Sequence, residues 1–317
     1  MDLFFIILTI LGLSLFEIIS SVDNAIINAE VLSTMKAKAR RWFLFWGIFI
    51  AVFVVRGILP FMIVWVTIPQ LGPLGVITAT FSGDPEVTKA IEHSAPILLI
   101  GGGVFLLFLF FHWLFLEPKN FGIHPEKFFQ RQGAWFYTVV SILLTAIVWL
   151  ALQKSPLLAF GAVVGSTAFF ITHGFKQYAE EKEEKLLHGK NEGRGLSDLS
   201  KILYLEVIDA TFSIDGVVGA FAFTLSVPII FLGNGIGAVV LRNVTVSNID
   251  RIKKYKYLKN GAMYSIFFLG TVMLADSFGI HIPSWLSPLF TFLIVSYFFN
   301  KSRLEAKKIT FSAAIKK

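Results

Sequence analysis

The sequence predicts an all-α, polytopic helical membrane protein of about nine transmembrane helices with an inverted-topology internal repeat. Three observations carry this. Apolar runs of 18 or more residues recur along all 317 residues, the length that crosses about 30 Å of hydrocarbon. Lys and Arg collect in alternate loops between those runs. And one polar signature occurs twice inside otherwise apolar segments.

Composition excludes the soluble classes. The chain is 55% hydrophobic with 34 Phe and only 15% charged residues, against about 25% charge in soluble domains. A cleavable signal peptide is not expected, because Asp2 replaces the basic n-region and the apolar run continues past Glu17. The net charge of +7 resides between spans, so the positive-inside rule accounts for it and no nucleic-acid partner is implied. With no cysteine, disulfides, thiolate metal sites and cysteine nucleophiles are excluded.

Hydropathy places spans near 3–31, 42–66, 95–116, 135–153, 157–173, 201–224, 228–247, 261–280 and 285–299. The fourth and fifth are split only by Lys154-Ser155-Pro156, which reads as a tight hairpin. Basic residues then sort by side. Loop 32–41 holds four, loop 117–134 three, loop 174–201 six, loop 248–260 five and the tail after 299 six. The other face receives only Lys89 and Lys154, and Arg56 and Arg242 lie inside spans. An asymmetry of 24 against 2 predicts an inner (plasma) membrane protein with its N-terminus outside and C-terminus cytoplasmic. The segment 176–195, with Glu180, Glu181, Glu183 and Glu184 among lysines, reads as a solvated linker or short helix.

The signature reads Glu17-Ile-Ile-Ser-Ser21-Val-Asp23-Asn24 in the first span and Asp209-Ala-Thr-Phe-Ser213-Ile-Asp215-Gly216 in the sixth. In the following spans Gly47 precedes Arg56 and Gly233 precedes Arg242, each by nine residues. Five spans separate the copies, so they cross in opposite directions, the arrangement in which many transporters hold substrate near the midplane. The expected organisation is a first repeat over 1–134, a linking helix hairpin over 135–173, a cytoplasmic linker over 174–200, a second repeat over 201–284, and a last helix with basic tail over 285–317. Ser14, Glu17, Ser21, Asn24 and Asn28 fall on one helical stripe, with Glu206, Asp209, Ser213, Gly216 and Ala220 as counterpart. Asp23 and Asp215 lie beside their stripes and reach the same cavity if the helices unwind near Ser21 and Ser213, or if the cavity is broad.

Each charge at a span centre costs roughly 2.5–3.5 kcal/mol, so the four carboxylates would together cost on the order of 10 kcal/mol if unpaired. Gluing helices by buried hydrogen bonds is the plain alternative, but ionisable groups in spans are functional by default and these occur in matched pairs. Glu206 and Asp276 are further candidates to line a pathway. His112 and His173 fall at cytoplasmic span ends, where interfacial placement is expected. Gly233-Asn-Gly-Ile-Gly237 fits close helix packing and lacks the strand context of a phosphate loop.

On Glu17…Ser21-Val-Asp23-Asn24-Ala25, Asp209…Ser213-Ile-Asp215, Arg56 and Arg242, the chain resembles the TerC family of tellurite-resistance-type integral membrane proteins, in a branch long carried as an uncharacterised domain and grouped with LysE-like exporters. The resemblance implies metal-ion handling, particularly manganese export, and resistance to tellurium oxyanions. Gly216-Val-Val-Gly219 stands where many relatives have Ser-Ile-Pro-Ala, so a proline break is absent and the glycines would supply flexibility instead.

If Glu17, Asp23, Asp209 and Asp215 meet Arg56 and Arg242, the formal charge is −2, which suits one divalent cation or two exchangeable protons. Carboxylates supplemented by Ser21, Ser213 and Asn24 form an all-oxygen set that favours Mg²⁺, Ca²⁺ or Mn²⁺ over soft metals. Without metal, the arginines, as counter-ions or gating groups, neutralise two carboxylates while the others hold protons, since burial disfavours the charged form. The expected function is a secondary transporter, an exporter of a hard divalent cation, Mn²⁺ favoured, coupled to protons, with the lipid bilayer and the ion as partners and oligomerisation left open. The rival classes are a non-transporting scaffold in metal or tellurite stress and an intramembrane aspartyl enzyme. The chain is expected not to be an enzyme, because nearby arginines oppose the shared proton of an aspartyl dyad.

Overall fold

The computed structural model describes residues 2–33, 35–47, 49–50, 54, 56–67, 72, 74–75, 85–119, 122–188, 198–252 and 255–315. Among them every regular element is a helix. This is what lipid demands, because a helix satisfies its backbone polar groups internally.

The first predicted span is two helices, α1 (Leu3–Ser20) and α2 (Val22–Ser33), separated at Ser21. Short α3 (Ala37–Trp42) runs into a π turn over Phe43–Gly47, and α4 spans Arg56–Thr67 with Pro60 inside it. Then come α5 (Pro85–Leu116), the short α6 (His124–Gln130), α7 (Phe136–Leu152) and α8 (Pro156–His188). The chain closes with α9 (Asp198–Ala220), α10 (Val227–Ile252), α11 (Leu258–Ser277) and α12 (Leu286–Ile315).

Among the described residues, five segments are long and apolar enough to cross a membrane: Leu3–Ser20, His93–Leu116, Gly133–Leu152, Pro156–Gln177 and Leu258–Ser277. Arg56–Val66 and Val227–Leu241 are shorter apolar helices. The protein is thus an all-α membrane protein.

The fifth predicted span and the predicted linker divide differently from the sequence reading. α8 does not stop at 173 but continues unbroken to His188, because Glu, Lys and Leu beyond the apolar stretch are good helix formers. Its start follows the expected hairpin: the Leu157 N–H donates to Ser155 Oγ at 3.2 Å, an N-cap directly before Pro156 in the first helical position. The break expected near Ser21 is present, whereas α9 runs through Ser213 without one.

At the centre lies α5, walled by α11 on one side and α8 on another. Gly101 packs directly on Gly161 and Gly165 of α8, and Gly103 on Gly270 and Leu274 of α11. The aromatic core fills around these seams, with Phe16, Phe108, Phe136 and Phe169 among the fully enclosed side chains. α1 packs along α10, α9 packs on α4, and α12 covers both α11 and α1. Exposed Leu, Ile, Phe and Trp on the outer faces are those expected to meet lipid tails.

Candidate functional site

Glu17 lies in the last turn of α1, fully buried, and the chain reorganises just beyond it. Ser21 leaves the helix at φ −97°, ψ 7°, its N–H still bonded to the Glu17 carbonyl. Its hydroxyl donates to Glu17 Oε1 at 2.8 Å, a local bond of the kind that lets Ser compete with helical geometry.

Arg56, the first residue of α4 and 2% exposed, reaches the same oxygen. Its Nε donates to Glu17 Oε1 at 2.9 Å and its Nη2 at 2.6 Å. Nη1 lies 3.7 Å from Asp209 Oδ2 on α9. One guanidinium therefore joins the leading acids of both signatures, a task suited to its planar fork of donors. Glu17 Oε2 has no hydrogen-bond partner.

Two glycines make room for this carboxylate. A Cβ on Gly216 of α9 would stand 2.6 Å from Glu17 Oε2, and one on Gly237 of α10 would stand 2.7 Å from Glu17 Cβ and 2.6 Å from the Ser14 carbonyl. Glycine at 216 lets the Glu17 carboxylate approach α9 closely. Ser14 Oγ, 2.8 Å from the Ile10 carbonyl, also lies 2.9 Å from Gly233 O on α10, fixing α1 against that helix.

Asp215 is held differently. Its Oδ2 pairs with Lys176 Nζ of α8, with the two side chains 11% and 12% exposed. Asp215 Oδ1 has no hydrogen-bond partner. Each signature thus contributes a buried carboxylate with one oxygen on a protein cation and the other unmet. Lys176 was counted with the cytoplasmic linker on sequence grounds. In the structure it belongs to the site, because α8 carries it one residue inside the end of its apolar stretch.

Ser213 does not mirror Ser21. Its hydroxyl donates 2.5 Å to the Asp209 backbone carbonyl and not to a carboxylate, within a helix that continues unbroken. Asn28 is buried with Oδ1 unbonded. The backbones of Asp23, Asn24 and Arg242 are helical, but their side chains lie outside the described residues. Glu206 is half-buried on α9, one turn before Asp209. Asp276 closes a loop: its Oδ1 accepts from the Ile282 N–H at 2.8 Å, beyond the end of α11.

Sequence reasoning missed three further features. The half-buried rings of His112 and His173 pack on each other, centroids 3.8 Å apart, with His173 stacked on Phe169 and His112 edge-on to Phe136. Glu126, fully buried in the loop helix α6, accepts from the Ile123 N–H at 3.0 Å and from Asn260 Nδ2 at 2.8 Å, pinning that loop to α11. Pro125 followed by Glu126 at the start of α6 was the available signal, since both residues favour a helix N-terminus. Asn234 on α10 is fully enclosed with neither amide atom hydrogen-bonded.

Outside the apolar stretches, Glu117 pairs with Lys259 at 2.6 Å. Burial opposes its charge, yet the Lys259 ammonium holds its carboxyl below the ordinary value. Lys119 lies over the Trp113 ring, 3.7 Å from its centroid, and burial brings its ammonium down to about 8.

Among the described residues, no three His, Cys, Asp or Glu side chains converge to hold a metal ion. The described acids of the two signatures are held by Arg56 and Lys176. No curated protein and no solved structure matches the chain. Residues 22–308 match the model of a family described as a protein of unknown function, DUF475.

Proposed function

The chain belongs to the DUF475 family, whose function is unknown, and from its own chemistry we propose that it is a secondary transporter, an exporter of a hard divalent cation, with Mn²⁺ the favoured substrate. We further propose nine spans, a cytoplasmic C-terminus and kinship with the TerC-type exporters.

One observation carries this reading: Glu17 Oε2 and Asp215 Oδ1, one from each signature, are buried acceptors without a hydrogen-bond partner. Leaving such a group unmet costs about 1–3 kcal/mol, more when it is charged. Side chains of this kind within a span mark ion or proton pathways. The packing of α1 on α10 and of α9 on α4 supports an inverted repeat, since each signature helix pairs with the second helix of the other half.

Loading proceeds through these residues. Glu17, Asp209 and Asp215, which do not converge in this structure, close on the ion to supply carboxylate oxygens, with Asp23 a fourth and Ser21, Ser213 and Asn24 supplementing them. An oxygen set suits a hard cation. The ion takes over carboxylate charge now held by Arg56 and Lys176, protons leave in exchange, and one repeat rocks against the other. An aspartyl protease dyad fits less well, because Asp209 faces Arg56 and Asp215 faces Lys176, so neither is placed to share a proton with the other.

The test is Mn²⁺ flux into liposomes holding the purified protein and a trapped Mn²⁺-sensing dye. Wild type should pass Mn²⁺, while Asp23→Asn and Asp215→Asn should slow it at least about tenfold, the loss expected when one charged interaction worth about 1.4 kcal/mol is removed. Normal flux through both variants would refute the transporter.

A further inference from the structure

Among the described residues, Glu17, Asp209, Asp215 and Arg56 sum to −2, which matches one divalent cation. Lys176 makes five groups and a sum of −1. With Lys176 in place, a bound divalent ion leaves an excess positive charge in a low-dielectric site, which is costly. The ammonium and the ion also need the same carboxylate, Asp215.

We propose that Lys176 is a tethered competitor for the transported cation: it occupies Asp215 between loading events and has to swing off for a divalent ion to bind. This rests on the transporter reading above.

Three features equip Lys176 for this. Its ammonium is a compact charge on a flexible four-carbon stem, well able to reach in two directions. It pairs with Oδ2 of Asp215, whose Oδ1 has no hydrogen-bond partner, so a multiply ligated cation can better satisfy that carboxylate. And Gly174 stands two residues before it. Gly161 and Gly165 of the same helix are pressed against α5, whereas a Cβ on Gly174 would have no neighbour within 4 Å. Close packing does not require glycine at 174, and inside a helix glycine is less favourable than Ala. What it leaves there is a compliant turn beneath Lys176.

The test uses the full-length protein in detergent, Mn²⁺ as the probe, and the electron paramagnetic resonance of free Mn²⁺ to read binding. A site held by lysine about nine-tenths of the time binds about tenfold more weakly than one without it. Lys176→Gln should therefore tighten the apparent Kd at least about tenfold. Lys176→Arg keeps the charge and grips a carboxylate through two donors, so it should weaken binding at least about threefold. Binding in wild type with no tightening in Lys176→Gln overturns the lysine's role alone. Binding in neither protein overturns the transporter reading as well. Should Lys176→Gln fail to fold, judged by its elution profile, Lys176→Arg decides: an affinity equal to or tighter than wild type overturns the proposal.

Discussion

Glu17 of α1 and Gly216 of α9 touch where the two acidic signatures meet: a Cβ at position 216 would stand 2.6 Å from Glu17 Oε2. The contact ties the first acid of one copy to the last residue of the other, so any side chain at 216 must push the carboxylate towards Arg56 or force α9 away. Gly216→Ala should destabilise the protein by about 1–3 kcal/mol, the usual cost of overpacking a tight interior. Intrinsic fluorescence of the seven Trp during thermal unfolding in detergent would read it, and an unchanged midpoint would contradict the contact.

Arg56 serves two acids, so its loss strands both. Arg56→Met should cost about 3–5 kcal/mol, as when one partner of a buried ion pair is removed. Adding Glu17→Gln should recover part of that loss, because it removes one of the stranded charges. A double-mutant cycle of unfolding midpoints gives the coupling; additive effects would mean the pair at 2.6 Å contributes nothing.

At the end of α5, Glu117 and Lys259 give the fold a pH dependence of known sign. The folded carboxyl titrates below its ordinary value of 4.5, so the unfolded chain binds its proton first as pH falls. The pair's stabilisation is fully present above about 4.5 and lost as pH drops through the lower folded value. Both side chains are partly exposed, which keeps the effect small. Wild type and Glu117→Gln should differ in midpoint at pH 7 and draw together as pH falls below about 4.5; a gap that does not shrink at all in acid would contradict this.

The nine-span reading makes a topological prediction. A reporter active only outside the cell should work when inserted at Lys154 and fail at the C-terminus, where a fluorescent protein should light up. The reverse pattern would contradict the proposed orientation, which rests on the side that Lys and Arg avoid.

Much of the architecture was legible because lipid imposes simple rules: apolar runs became helices, and the hairpin at Ser155-Pro156 follows from its N-cap. The meeting of Glu17, Arg56 and Asp209 followed from reading the signature as a repeat. Lys176 was not legible. It sits one turn past the predicted span end among other lysines, and nothing local distinguishes a cation that reaches back into the bundle from one that meets water. The His112–His173 contact joins α5 to α8, and no periodicity within either helix reports it. Ser21 and Ser213 carry the same local sequence signal, yet only Ser21 interrupts its helix. Their hydroxyls also differ in acceptor, the Glu17 carboxylate for one and the Asp209 backbone for the other.

The most direct measurement is anomalous diffraction from crystals grown with Mn²⁺. The account predicts a peak between α1 and α9, about 2.0–2.6 Å from carboxylate oxygens of Glu17, Asp209 or Asp215, with Lys176 withdrawn from Asp215. No peak there, with Arg56 and Lys176 still holding those acids, would contradict it.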